Sequence, residues 1–226
     1  MCNELLFFIS VALSFSLILV AYRYFGKLGV FAWISFASVV ANIEVVKCID
    51  LFGLSVTLGN VVYASNFLAT DILSEMYGGK ESRKAVRISF FTLICATLLM
   101  QCSLLFTPNS EDFASGAMKT IFSLAPRICI VSLASFIISN TLDTYLYDWI
   151  GKFTKKVWVK NNLATMTTQL LDSFLFTYGA FYGVFPNEEV FELVLTTYAI
   201  KWIIAVLDTP FLYAAKWIYN NKLKYK

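Results

Sequence analysis

The sequence predicts an all-α protein, a polytopic bundle of about seven membrane-spanning helices with its N-terminus outside and its C-terminus in the cytoplasm. Three observations lead there. First, 58% of the 226 residues are apolar and only 15% are charged, whereas soluble domains average about 45–50% and about 25%. Second, 17% of the chain is aromatic, including 21 Phe, which is more apolar bulk than a core of this size can absorb. Third, apolar runs of about 20 residues, the length that crosses a hydrocarbon core, recur along the chain between short loops.

The runs fall, in order, at 4–23, 28–49, 55–77, 86–107, 121–149, 160–183 and 191–215. The first follows MCNE and lacks both a basic leader and a small-residue cleavage site, so it reads as a retained span and not a signal peptide. In the third, Asn66–Ala69 read as lipid-facing residues, and Gly78-Gly79 as a helix end. The fifth run is long, and Pro126 is expected to separate a short interfacial turn from the helix proper, since proline suits a first helical turn. The seventh is interrupted by Pro210, which frees a backbone carbonyl and serves either as a hinge or as a bend. The loops are too short to hold a further domain.

Loop charge sets the orientation. One set of loops holds Arg23 and Lys27; Lys80, Arg83, Lys84 and Arg87; Lys152, Lys155, Lys156 and Lys160; and Lys216, Lys222, Lys224 and Lys226. The opposite set holds Lys47 and Lys119 with Glu111, Asp112, Glu188, Glu189 and Glu192. Basic residues concentrate on the cytoplasmic side, so the first set faces inward.

Several functions are disfavoured. A net charge of +3 gives no general pull toward nucleic acid. There is no His, and the five cysteines form no C-x-x-C pair, so neither a metal nor another cofactor is expected. Gly78-Gly79-Lys80-Glu81-Ser82 lacks the spacing of a nucleotide-binding loop. No hydrolytic constellation accompanies the acids, so an enzyme is not expected.

The informative residues are charges where lipid should exclude them. An ionised side chain at the bilayer centre costs about 2.5–3.5 kcal/mol on insertion scales. Asp71, Glu75, Arg127, Asp143, Asp172, Lys201 and Asp208 nevertheless lie in or near spans, and Glu44 and Lys47 lie toward the outer end of the second. Asp71 and Glu75 are one helical turn apart. Asp71 reads either as a ligand group or as a structural partner for a cation; Glu75 reads either as a companion acid or as an end-of-span charge that reaches headgroup water or pairs with a loop lysine. Three later spans share a short pattern: Leu142-Asp143-Thr144, Leu171-Asp172-Ser173 and Leu207-Asp208-Thr209. Asn140 and Gln169 precede two of these acids by three residues, so amide and carboxylate share one helical face. A polar stripe of that kind must face the protein interior. The pattern is too short to establish an internal repeat.

Arg127 and Lys201 are outnumbered by Asp71, Asp143, Asp172 and Asp208. At least one acid is therefore protonated or reserved for a ligand. A carboxylate accepts two parallel N–H donors, and a planar heterocycle with adjacent N–H groups, such as the guanine edge, meets that demand. Amides complete the ring atoms, and aromatic side chains stack on its faces.

The stretch FLATDILSEMYGGKESRKAV (67–86) resembles the signature of the vitamin uptake transporter family, in which an aromatic-rich span ends in T-D-[IL]-x-x-E-x-[YF]-G before basic residues. Asn42, Arg127, Asn140 and Asp143, Gln169, Asp172 and Ser173, Lys201 and Pro210 agree in order, over roughly 31–215. The resemblance implies a six-helix bacterial inner-membrane importer of queuosine precursors, the 7-deazaguanine bases used to modify tRNA. It implies that 28–226 form the transporter core and 1–27 an additional span. It makes Asn42, Asp71, Arg127, Asn140, Asp143, Gln169, Asp172 and Lys201 substrate-binding candidates, with Asp172 or Asp143 taking the N1–H and 2-amino edge. Glu75, Asp208 and Pro210 become candidates for gating or coupling. The expected partners are the small-molecule base and the bilayer, with a homodimer left open. The alternatives are a binding subunit of an ATPase-coupled importer, an intramembrane enzyme acting on lipid, and a structural membrane subunit.

Overall fold

A computed structural model describes the backbone of residues 2–154 and 157–223; side chains are described for these except 140, 143, 144, 147, 148, 157–162, 164, 165, 222 and 223. The protein is an all-α membrane bundle. Helix α1 spans Asn3–Phe25 and α2 spans Lys27–Glu44. Gly26, at φ 59°, turns the chain between them and donates its N–H to the Tyr22 carbonyl at 2.8 Å. That conformation suits glycine because it has no Cβ.

The second run does not continue to residue 49. After α2 the chain forms a two-stranded antiparallel hairpin, β1 (Cys48–Leu51) and β2 (Leu54–Thr57), with Cys48 opposite Thr57. Phe52 and Gly53 turn it, both at positive φ, 53° and 77°. Two successive residues at positive φ match the twist of a tight hairpin. The Phe52 N–H is held by the Glu4 carboxylate at 3.1 Å, and the Asn3 amide reaches the Asp50 carbonyl at 2.8 Å. The start of α1 therefore docks on the hairpin.

Helix α3 spans Gly59–Tyr77, and α4 follows at once over Gly79–Ser103, pivoting on Gly78 at φ 87°. The basic run at residues 80–87 is thus helical, as the first turns of α4. A short helix, α5 (Ser115–Phe122), precedes α6 (Ala125–Ile150), and Pro126 sits in the first turn of α6 as expected. Asp112 caps α5. Its carboxylate accepts the N–H groups of Ala114 and Ser115 at 2.7 and 3.0 Å and the Ser115 hydroxyl, which together hold it below the usual carboxylate range. Helix α7 spans Val157–Phe181 and α8 spans Asn187–Leu207. The seventh run then breaks. Asp208 ends α8, and α9 (Thr209–Ile218) starts afresh with Pro210 in its first turn. Proline has no N–H to continue the ladder.

Helices α1, α2, α4 and α8, and the stretch Ser115–Ser139, which takes in α5 and the first part of α6, are long and apolar enough to cross a membrane. Helices α3 and α7 are as long, at 19 and 25 residues, but carry polar stripes. The outer surface exposes Leu13, Phe91, Leu99, Ile130 and Val206. Water would penalise such a surface, whereas hydrocarbon accepts it.

One core joins α1, α2, α3 and α9, with Phe15, Ile18, Tyr22, Leu68, Ile72 and Leu73 fully buried. The Asn66–Ala69 segment is not lipid-facing, because Asn66, Leu68 and Ala69 are buried. A second, smaller core packs Val45, Ile128, Ala180, Phe181 and Val190 between α2, α6, α7 and α8.

Candidate functional site

Between α2, α3 and α4 on one side and α6, α7 and α8 on the other lies a cavity in two compartments. The larger, about 610 Å³, extends from Asp172 to the Ser82–Arg87 turn of α4. The smaller, about 60 Å³, lies among Asn42, Asn60, Ser132, Thr197 and Lys201. Tyr63, Phe136 and Asp172 line both.

The polar stripe of α3 explains how a greasy chain makes this space. Tyr63, Asn66, Phe67 and Thr70 are spaced i, i+3, i+4, i+7, one face of a helix, and that face lines the larger compartment. On α7, Thr168, Gln169 and Asp172 do the same. Phe90 of α4 and Phe136 of α6 meet edge to face at 4.8 Å, so the walls between the polar groups are aromatic.

Asp172 and Lys201 form the central charge pair, Nζ to Oδ2 at 2.6 Å, with side chains 21% and 13% exposed. Around them, among the described residues, stand amide oxygens with no protein partner. The Asn42 Nδ2–H donates to the Ser38 carbonyl at 2.8 Å, and its Oδ1 is buried and unbonded. The Asn66 Nδ2–H donates to the Ser38 hydroxyl at 3.1 Å, and its Oδ1 is likewise unbonded. Gln169 Oε1 is a third. A buried acceptor left unmade costs about 1–3 kcal/mol. Three of them line one cavity, each able to accept an N–H from a bound molecule.

The other sequence-predicted residues are placed as follows. Arg127 lines neither compartment. Its guanidinium donates to the carbonyls of Gly179 and Tyr182, both at 2.7 Å, and so caps the end of α7. Asp71 also lines neither compartment and lies within electrostatic reach of Asp208, which is buried at the α8–α9 break. Glu75 pairs with Lys216 of α9 at 2.8 Å, with both side chains about half exposed. The side chains of Asn140 and Asp143 lie outside the described residues. The three L-D-[ST] acids thus do not share one setting: Asp172 faces the cavity, and Asp208 the break.

Sequence reasoning missed Ser38, Tyr63, Asn66, Arg83 and Arg87, all of which line the cavity. The i, i+3, i+4, i+7 spacing on α3 was the available signal, masked by the attention that Asp71 and Glu75 draw. It also missed the hairpin's role. The Ser55 N–H bonds Glu192 at 2.7 Å, Thr196 donates to the Ser55 carbonyl at 2.8 Å, and the Asn60 amide donates to Thr197 at 2.9 Å. These bonds tie β2 and α3 to α8 beside the smaller compartment.

Residues 57–215 match the family described as "Putative vitamin uptake transporter". The chain belongs to the vitamin uptake transporter family. It is 42% identical over 224 residues, 98% of both chains, to a protein of Bacillus subtilis (strain 168) named "Probable queuosine precursor transporter". It is 24% identical over 164 residues, 70% of this chain and 72% of the other, to the "Queuosine precursor transporter" of Escherichia coli (strain K12). A Haemophilus influenzae protein named like the first is 25% identical over 160 residues, 69% of this chain and 66% of the other. No solved structure matches.

Proposed function

We propose that this protein imports a queuosine precursor, a 7-deazaguanine base, across the bacterial inner membrane. The observation that carries the reading is the cavity, in a chain whose full-length relative is named for that cargo. Its volume, about 610 Å³, falls within the range of about 300–1,000 Å³ usual for small-molecule sites. Its walls offer aromatic faces for stacking and unbonded carbonyl oxygens for N–H groups. Asp172 takes the N1–H and 2-amino edge of the base, and Gln169 and Asn42 bond the remaining polar atoms. We assign Asn140 and Asp143 to the same base. Lys201 holds Asp172 oriented until the base arrives. The larger compartment reaches the basic turn of α4, and with that side cytoplasmic it is the exit path.

Glu75, Asp71 and Asp208 lie where α3 meets the α8–α9 break. A change of angle at Asp208–Pro210 would move α9 against α3, and we assign these residues to gating. The chain is then 28–226 as transporter core with 1–27 added, acting without an ATPase subunit.

The test is uptake. The chain is expressed in cells that neither make nor import queuosine precursors and that lack energy-coupling-factor modules. Each of 7-cyano-7-deazaguanine, 7-aminomethyl-7-deazaguanine and queuine is supplied at low concentration, and queuosine in tRNA is scored. Restoration by at least one base is expected. If none restores it despite verified membrane insertion, the chain is not a self-sufficient importer of these bases.

A further inference from the structure

Asn66 is 7% exposed on α3, and its side chain is bonded on one side only. An amide can face either way, and the partner decides which. Here the partner is the Ser38 hydroxyl of α2, whose own proton is committed to the Ile34 carbonyl at 2.8 Å. In that arrangement Ser38 Oγ accepts from Asn66, with Nδ2 facing it and Oδ1 facing away. The chain of donors Asn66 to Ser38 to Ile34 ends at a backbone carbonyl that cannot reverse. Asn42 is fixed by the same logic, because the Ser38 carbonyl it contacts has no proton to give. Two neighbouring helices thus hold two amides with their acceptor ends unbonded, and Gln169 adds a third from α7.

We infer that Asn66, locked by Ser38, is a specificity residue of this transporter: a pre-set hydrogen-bond acceptor that reads an N–H group of the base. This rests on the proposed function above and names what the site selects within it. The cavity takes a planar heterocycle whose edges carry N–H donors and disfavours one that presents ring lone pairs to the same wall. A lone pair set against Oδ1 is repelled, and no water-sized rearrangement of the locked amide can turn it into a donor. Orientation before binding also spares the cost of ordering the side chain during binding.

The test uses the full chain in lipid nanodiscs and equilibrium binding of the same three bases, with thermal stability measured alongside. Asn66→Leu and Asn66→Ala remove the acceptor, and Ser38→Ala removes only the lock. Both Asn66 variants are expected to weaken binding about tenfold or more, the usual consequence of leaving a buried N–H unmade. Ser38→Ala is expected to weaken binding about threefold in the wild type and not at all in either Asn66 background, because neither has an amide to orient. The Asn66→Ala comparison stands even if Asn66→Leu fails to fold. Wild-type binding in the Asn66 variants, or a Ser38→Ala effect that is equal with and without Asn66, would make Asn66 a structural contact and overturn the inference while leaving the importer reading intact. Failure of the wild type to bind any of the three bases would overturn both.

Discussion

Replacing Asp172 with Asn separates what the central ion pair does for the fold from what it does for transport. At 2.6 Å, the gross attraction is about 6 kcal/mol for an effective dielectric constant of about 20. Desolvation of the two ions, several kcal/mol each, offsets most of it. The intact pair is therefore close to neutral for stability, but either ion left alone is not. Breaking a buried pair by removing one partner costs about 3–5 kcal/mol. Asp172 and Lys201 are 21% and 13% exposed to the cavity, which places this pair near the lower end, about 3 kcal/mol. Asp172→Asn and Lys201→Met should each be destabilised by about that much, and the double variant should recover to within about 1 kcal/mol of wild type. Denaturation of purified protein measures the cycle, and uptake per inserted molecule is read on the same variants. If Asp172 addresses the base, the double variant is stable and inactive. A stable double variant that transports at the wild-type rate would refute the reasoning, because the pair would then be only a strut.

Three further outcomes are expected. Arg127→Met removes two charge-assisted bonds to the end of α7; it should lower stability by about 2–3 kcal/mol while uptake per folded molecule stays within about twofold. Gly59→Ala should cost more than Gly179→Ala, toward the upper part of the range of about 1–3 kcal/mol for overpacking. A Cβ at Gly59 meets the Ala41 carbonyl and lies 2.9 Å from Val45 Cα, both backbone, whereas at Gly179 it meets the Val131 side chain, which can turn; the melting temperatures of the two variants decide it. Finally, the Asp112 cap has a lowered carboxylate pKa, so its contribution is complete above the unfolded value and is lost as pH falls through the folded one. Amide exchange at Ala114 and Ser115, corrected for intrinsic rates, should therefore accelerate in acid, and the Asp112→Asn variant should show a flatter pH profile.

The membrane class, the order of the long helices, the break at Pro210 and the Asp172–Gln169 face of α7 were all legible in the chain. Each depends on local composition or on spacing along one helix, and lipid makes such signals strong because it forbids unpaired polarity. The family signature at 67–86 lies in the same class of evidence. What neighbouring helices do to one another was not legible. Arg127 and Lys201 look alike as intramembrane cations, yet one caps carbonyls of α7 and the other pairs with Asp172. Asn66 sits one residue before the signature and reads as lipid-facing until Ser38 of α2 is placed against it. The hairpin at 48–57 hid across the ends of two apolar runs because each of its strands is only four residues long. Sequence by itself determined that polar groups must be gathered inside the bundle, since burial in lipid allows nothing else. Only the tertiary structure decided which of them satisfy each other and which are left unbonded on a cavity, because that depends on the register between helices, and register is set by close approaches such as Gly59 against Ala41 and not by any one helix.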